Sequence, residues 1–66
     1  MRGFVTKYFP DRGFGFVRGS DGVSRFAHRS QVIGTVLKVG DVVEFDLAAD
    51  DQGRSERCVQ VIVMER

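Results

Sequence analysis

The chain has a single cysteine, Cys58, and a single histidine, His28. One thiol cannot form an internal disulfide, and one Cys with one His and no CxxC pair lacks the ligand set of a structural zinc site. No apolar run approaches the length of a membrane span, and no charged-then-apolar leader opens the sequence. Helical periodicity is missing as well: no long segment repeats its apolar residues at the spacing of a helix face. The acidic residues are scattered without a paired arrangement, and the lone imidazole has no nucleophile or carboxylate at a useful spacing. These absences predict a soluble, cytoplasmic, non-enzymatic protein of a reducing compartment. They predict no catalytic residues, no metal, no cofactor and no membrane partner.

What remains is small and unevenly charged. A chain of 66 residues predicts one domain over residues 1–66, near the lower size at which a core holds without disulfides or metal. The formal charge is only +1, but its distribution is polar. Residues 1–30 carry Arg2, Lys7, Arg12, Arg18, Arg25 and Arg29 against Asp11 and Asp21, a net +4, and residues 31–66 carry a net −3. A positive half suits a polyanion on one face, with weaker attraction than a strongly basic protein would exert.

Hydrophobic alternation and turn residues predict five strands. Residues 2–9 are rich in β-formers, and Pro10-Asp11-Arg12-Gly13 ends them with turn chemistry. A second strand is expected over Phe14 to Arg18, a tight turn at Gly19-Ser20-Asp21-Gly22, and a third strand over Val23 to His28. Ser30 to Gly34 reads as one helical turn, of 3₁₀ type, before a loop. The fourth strand is expected from Asp41 to Ala48 with Val43, Phe45 and Leu47 inward. A loop at Ala49-Asp50-Asp51-Gln52-Gly53 precedes a fifth from about Arg57 to Met64, with Val59, Val61 and Val63 inward. With no helix to cover a flat sheet, an all-β, five-stranded antiparallel barrel is the economical closure, since it removes exposed edges.

The most informative residues are Arg12-Gly13-Phe14-Gly15-Phe16-Val17-Arg18. Phe14 and Phe16, two apart, share one face of a strand. Phe26 and His28 share one face of the next strand. An exposed aromatic pair with an arginine at each end suits stacked bases and a phosphate backbone. The alternative is an ordinary core strand, in which Gly15 and Val17 face outward.

Taken together, the chain resembles a bacterial-type cold-shock domain, a small barrel of the oligonucleotide-binding fold. Arg12-Gly13-Phe14-Gly15-Phe16-Val17 resembles that family's first ribonucleoprotein-like motif, and Phe26-Ala27-His28 the second, Phe-Val-His. Met1-Arg2-Gly3, Asp21-Gly22, Ser30, Val39 to Phe45 and Gly53 also follow the family pattern. The resemblance implies binding of single-stranded RNA or DNA, with RNA-chaperone or transcriptional and translational roles, on a platform of Phe14, Phe16, Phe26 and His28, with Arg12 at a phosphate. Four departures stand out. Where the family has a tryptophan in its first strand this chain offers Lys7 or Tyr8, and Tyr8, with Phe9 beside it, is the choice that keeps an aromatic on the platform. Arg29 replaces a phenylalanine, the segment from Ser30 to Gly40 is short and lacks an aromatic, and Arg25 takes the place of an inward valine.

The expected nucleic-acid site is therefore Lys7, Tyr8, Phe9, Arg12, Phe14, Phe16, Arg18, Phe26, His28 and Arg29. Arg54 and Arg57 would add a cationic rim if the last loop folds toward the platform. Phe4, Val5, Val17, Val43, Phe45, Leu47, Val59 and Val61 are assigned to the core, and Cys58 is a small filler or a partly exposed thiol. A monomer is expected, with a domain-swapped or edge-paired dimer as the variant. The rival function is a protein–protein or self-association module built on the same barrel.

Overall fold

A computed structural model describes residues 1–49 and 56–66. Of the loop expected at Ala49 to Gly53, Ala49 ends the fourth strand; the rest of it, and Arg54, lie outside the described residues. The strands are β1 (Arg2–Phe9), β2 (Phe14–Gly19), β3 (Ser24–His28), β4 (Val42–Ala49) and β5 (Glu56–Glu65), with one 3₁₀ turn at Arg29–Gln31 between β3 and β4. They close into a barrel in the order β1-β2-β3-β5-β4. The described strands fall within a residue or so of the expected ones, while the 3₁₀ turn is shorter than the expected Ser30 to Gly34 and starts one residue earlier.

The turn residues act where their chemistry requires. The Phe9 carbonyl accepts from both Arg12 N–H (3.0 Å) and Gly13 N–H (2.8 Å), and Gly13 takes a φ of 76°, which favours glycine. At the next turn Gly22 N–H donates to the Gly19 carbonyl (2.9 Å) and Gly19 N–H to the Val23 carbonyl (3.0 Å).

One pairing departs from the antiparallel expectation. β3 and β5 run parallel, with Phe26 opposite Arg57 and Ala27 opposite Cys58. The reason is geometric: five strands, an odd number, cannot alternate direction all the way round a closed ring. One parallel seam is required, and it falls where β5, antiparallel to β4, meets β3.

The core is Val5, Val17, Ala27, Leu37, Val43, Phe45, Cys58 and Val61, with Tyr8, Val32, Leu47 and Val63 packed against it. Three expectations change here. Phe4 is 47% exposed, because β1 alternates and Val5 takes the inward place. In β5 the inward residues are Cys58 and Val61, three apart, and Val59 and Val63 are only half-buried. Gln60, at a φ of 52°, absorbs the extra residue of a bulge where the β4–β5 register shifts between Glu44 and Asp46, and a bulge resets the two-residue alternation. Leu37, from the segment between the 3₁₀ turn and β4, fills the core although no strand carries it.

Two buried charges are paired. Arg25, facing inward near the rim, meets the Asp21 carboxylate at 2.7 and 3.1 Å and Glu56 at 3.6 Å. Asp41 accepts the Lys38 backbone N–H at 2.9 Å and lies 3.7 Å from Arg66. Burial pushes the Cys58 thiol up to about 11, so Cys58 is a filler and not a reactive group.

Candidate nucleic-acid interface

Residues opposite one another in a ladder put their side chains on the same face, so the registers sort the candidates that lie in strands. Phe9, Phe14 and His28 form one row across β1, β2 and β3. Lys7, Phe16 and Phe26 form the next row, which the parallel seam extends to Arg57. Phe4, Arg18 and Ser24 form a third. Between these rows Gly15, Val17 and Ala27 are buried, which fixes the three rows on the outside of the barrel. The alternative of an inward Phe14 and Phe16 is thereby removed.

The rings on this outer face touch one another. Centroids are 5.3 Å apart for Phe9 and Phe14, 5.4 Å for Phe14 and Phe26, and 6.2 Å for each of Phe14–Phe16, Phe16–Phe26 and Phe26–His28. The cluster is open to solvent: Phe9 and Phe26 are each 38% exposed. His28 is held by its own 3₁₀ turn, where Nδ1 accepts the Ser30 backbone N–H at 3.1 Å and lies 2.9 Å from Ser30 Oγ. Acceptance at Nδ1 leaves the proton of the neutral ring on Nε2, as a donor.

Gly15 shows why β1 can approach so closely. A Cβ there would stand 2.3 Å from the Lys7 carbonyl oxygen and 2.8 Å from the Tyr8 ring. Tyr8 therefore occupies the inner side of the ladder, against Gly15 and the core. This corrects its expected place on the stacking face. The register shift between Val5 and Lys7 resets β1 so that Lys7, two residues before Phe9, faces outward beside Phe16. The face thus carries an ammonium beside Phe16, and Phe9 places a ring one row away.

The other basic residues surround this face at different distances. Arg18 stands in the third row, one step beyond Phe16. Arg12 is exposed in the turn after Phe9. Arg29 lies against Gly13, its Cδ 2.9 Å from where a Cβ would be, and its backbone N–H donates to the Gly13 carbonyl at 2.8 Å. Arg29 also borders a groove of about 500 Å³ with Tyr8, Pro10 and Thr35, round the end of the barrel. Arg57 joins Phe26, His28 and Ser30 around a depression of about 300 Å³. The sequence offered it only as a rim residue dependent on the last loop, whereas the parallel seam, a property of the closed topology, brings it there. Its sequence signal was the odd strand count.

An outward cluster of four phenylalanines and one histidine on a small barrel is joined by a family match. The 'Cold-shock' DNA-binding domain model matches residues 1–62. The chain belongs to the cold-shock domain family. Cold-shock domains are nucleic-acid-binding domains, and the closed five-stranded barrel agrees with their fold. No match to a curated protein was found. Among the described residues, no group of metal-ligating side chains occurs, and no helix is long and apolar enough to cross a membrane.

Proposed function

We propose that this cold-shock domain binds single-stranded nucleic acid, RNA or DNA, by stacking bases on Phe9, Phe14, Phe16, Phe26 and His28. Lys7, Arg12, Arg18, Arg29 and Arg57 neutralise the backbone around them. The observation that carries this reading is the contiguous, solvent-open ring cluster, with centroids 5.3 to 6.2 Å apart. Paired strands in a duplex bury their base faces, so only an unpaired strand can use such a surface. Stacking accepts any base, and sequence preference should be modest. A protein that holds strands unpaired in this way has the physical properties of an RNA chaperone or an antiterminating regulator, acting as a cytoplasmic monomer.

Titration of a labelled single-stranded oligonucleotide, read by anisotropy against salt, tests the reading. Binding should be saturable and weaken with salt, with a log–log slope of about −0.7 per phosphate contacted. A duplex of the same sequence should bind markedly less. Equal affinity for duplex and single strand would overturn base stacking.

A further inference from the structure

Phe4 is the one ring of the outer face that the stacking cluster leaves out. It is 47% exposed and takes part in none of the ring contacts among the described residues. Yet it stands directly across from Arg18 in the third row, about 7 Å along β2 from the Phe16 row. On its other side Phe4 faces Val42 of β4. A depression of about 290 Å³ opens there, lined by Arg2, Phe4, Arg18, Ser20 and Val42. Thr6, Lys7, Phe16 and Ser24 line a second depression of about 330 Å³, and Ser24 stands opposite Arg18 in the β2–β3 ladder.

One exposed aromatic on a polar surface is ordinary. Phe4 differs in its surroundings: an apolar floor, Arg18 across the ladder and Arg2 two residues back on the same face of β1. Arg18 makes no ion pair among the described residues. Arg2 is 3.6 Å from Glu44, with side chains 63% and 52% exposed, a pair weak enough to be exchanged for a phosphate. A π-face for a base beside cations for its phosphates is the composition of a nucleotide site.

We propose that Phe4, Arg18 and Arg2 form an additional nucleotide subsite, which takes one base of the same single strand that lies on the Phe14–Phe16–Phe26 face. The subsite rests on the stacking function proposed above and extends it. The bound strand then runs from the Phe9 turn, past Lys7 and Phe16, to Phe4. The site is longer than the ring cluster alone and ends on an aromatic that shares its depression with two arginines.

The test is a length series. A four-nucleotide and an eight-nucleotide oligothymidylate are titrated against the wild type, Phe4→Ala, Phe4→Leu and Phe16→Ala. Phe4→Ala and Phe4→Leu should each lose about fivefold or more on the longer strand, the low end of one stacked base. On the shorter strand both should match the wild type, because it is satisfied by the main face. Leucine keeps the apolar volume against Val42, so its loss would assign the effect to the π-face. Phe4→Leu binding the long strand as the wild type does would overturn the stacking role of Phe4. Phe16→Ala weakening both strands while Phe4→Ala changes neither would keep the main face and remove the subsite. A wild type that binds neither strand would instead overturn the stacking function itself. A light-scattering mass that falls in Phe4→Ala, with affinity unchanged, would assign the patch to a second copy of the chain and overturn the proposal.

Discussion

Two neighbouring residues in β1 carry the sharpest consequences at the scale of single side chains. Tyr8 lies inward against Gly15 and the core, while Lys7 faces outward beside Phe16. Lys7→Trp should therefore raise affinity for a single strand, since a stacked base is worth about 1–3 kcal/mol. It should also flatten the salt slope by about 0.7 as one phosphate contact is lost. Tyr8→Trp should do neither, and anisotropy titrations of the two variants separate the registers. Tyr8→Ala should lower stability by about 2 kcal/mol through lost packing, read as a shift in the denaturant midpoint, with the affinity of the folded protein unchanged. The sequence could not decide between the two residues. Both lie in a run of β-formers, and the register shift after Val5 depends on how β1 pairs, not on what β1 contains. Phe4 was misassigned for a related reason: a phenylalanine in an alternating strand looks like core until its neighbour Val5 is seen to take the inward place.

At the scale of elements, the β2–β3 turn and the β3–β5 seam each have a measurable signature. The Arg25 guanidinium, hydrogen-bonded to Asp21, and the Val23 backbone N–H hold the Asp21 carboxyl down to about 2 from its ordinary 3.8. A depressed carboxyl stabilises the fold fully above the unfolded value and loses that contribution as pH falls toward the folded one. The difference in unfolding midpoint between the wild type and Asp21→Asn should thus stay constant above about pH 4 and close between 4 and 2. A difference that stays constant across that window would detach Asp21 from the stability of the turn. At the seam, Arg57→Ala should reduce the salt slope by about one contact, while removal of a charge outside the three rows, as in Lys38→Ala, should leave it alone. The five strands were legible because glycine, proline and aspartate mark the turns after β1, after β2 and before β4, and alternation marks β2, β3 and most of β4. The arrival of Arg57 at the stacking face was not, because a parallel pair between β3 and β5 is a property of closing the ring. Gln60 shows the same limit: a residue with no turn preference takes a φ of 52° because the β4–β5 ladder needs a bulge there.

For the whole molecule, the small net charge and the ring cluster divide the work. A protein of formal charge +1 gains little from long-range attraction, so the free energy of binding has to come mainly from stacking at short range. The aromatic motif and the barrel class were readable because Gly13-Phe14-Gly15-Phe16 and Phe26-Ala27-His28 are local patterns. Leu37 in the core was not, because the segment that delivers it has no strand periodicity. Barrel and binding face are also separable: the core is lined by Val5, Val17, Val43, Phe45 and Val61, while the rings that stack lie outside it. Phe16→Ala tests that separation most directly, with oligonucleotide affinity and denaturant midpoint measured on one preparation. Affinity should fall about fivefold or more, the low end for one stacked base, while the midpoint moves far less. A midpoint that collapses while the folded fraction binds as tightly as before would place Phe16 in the core and contradict an outward stacking face.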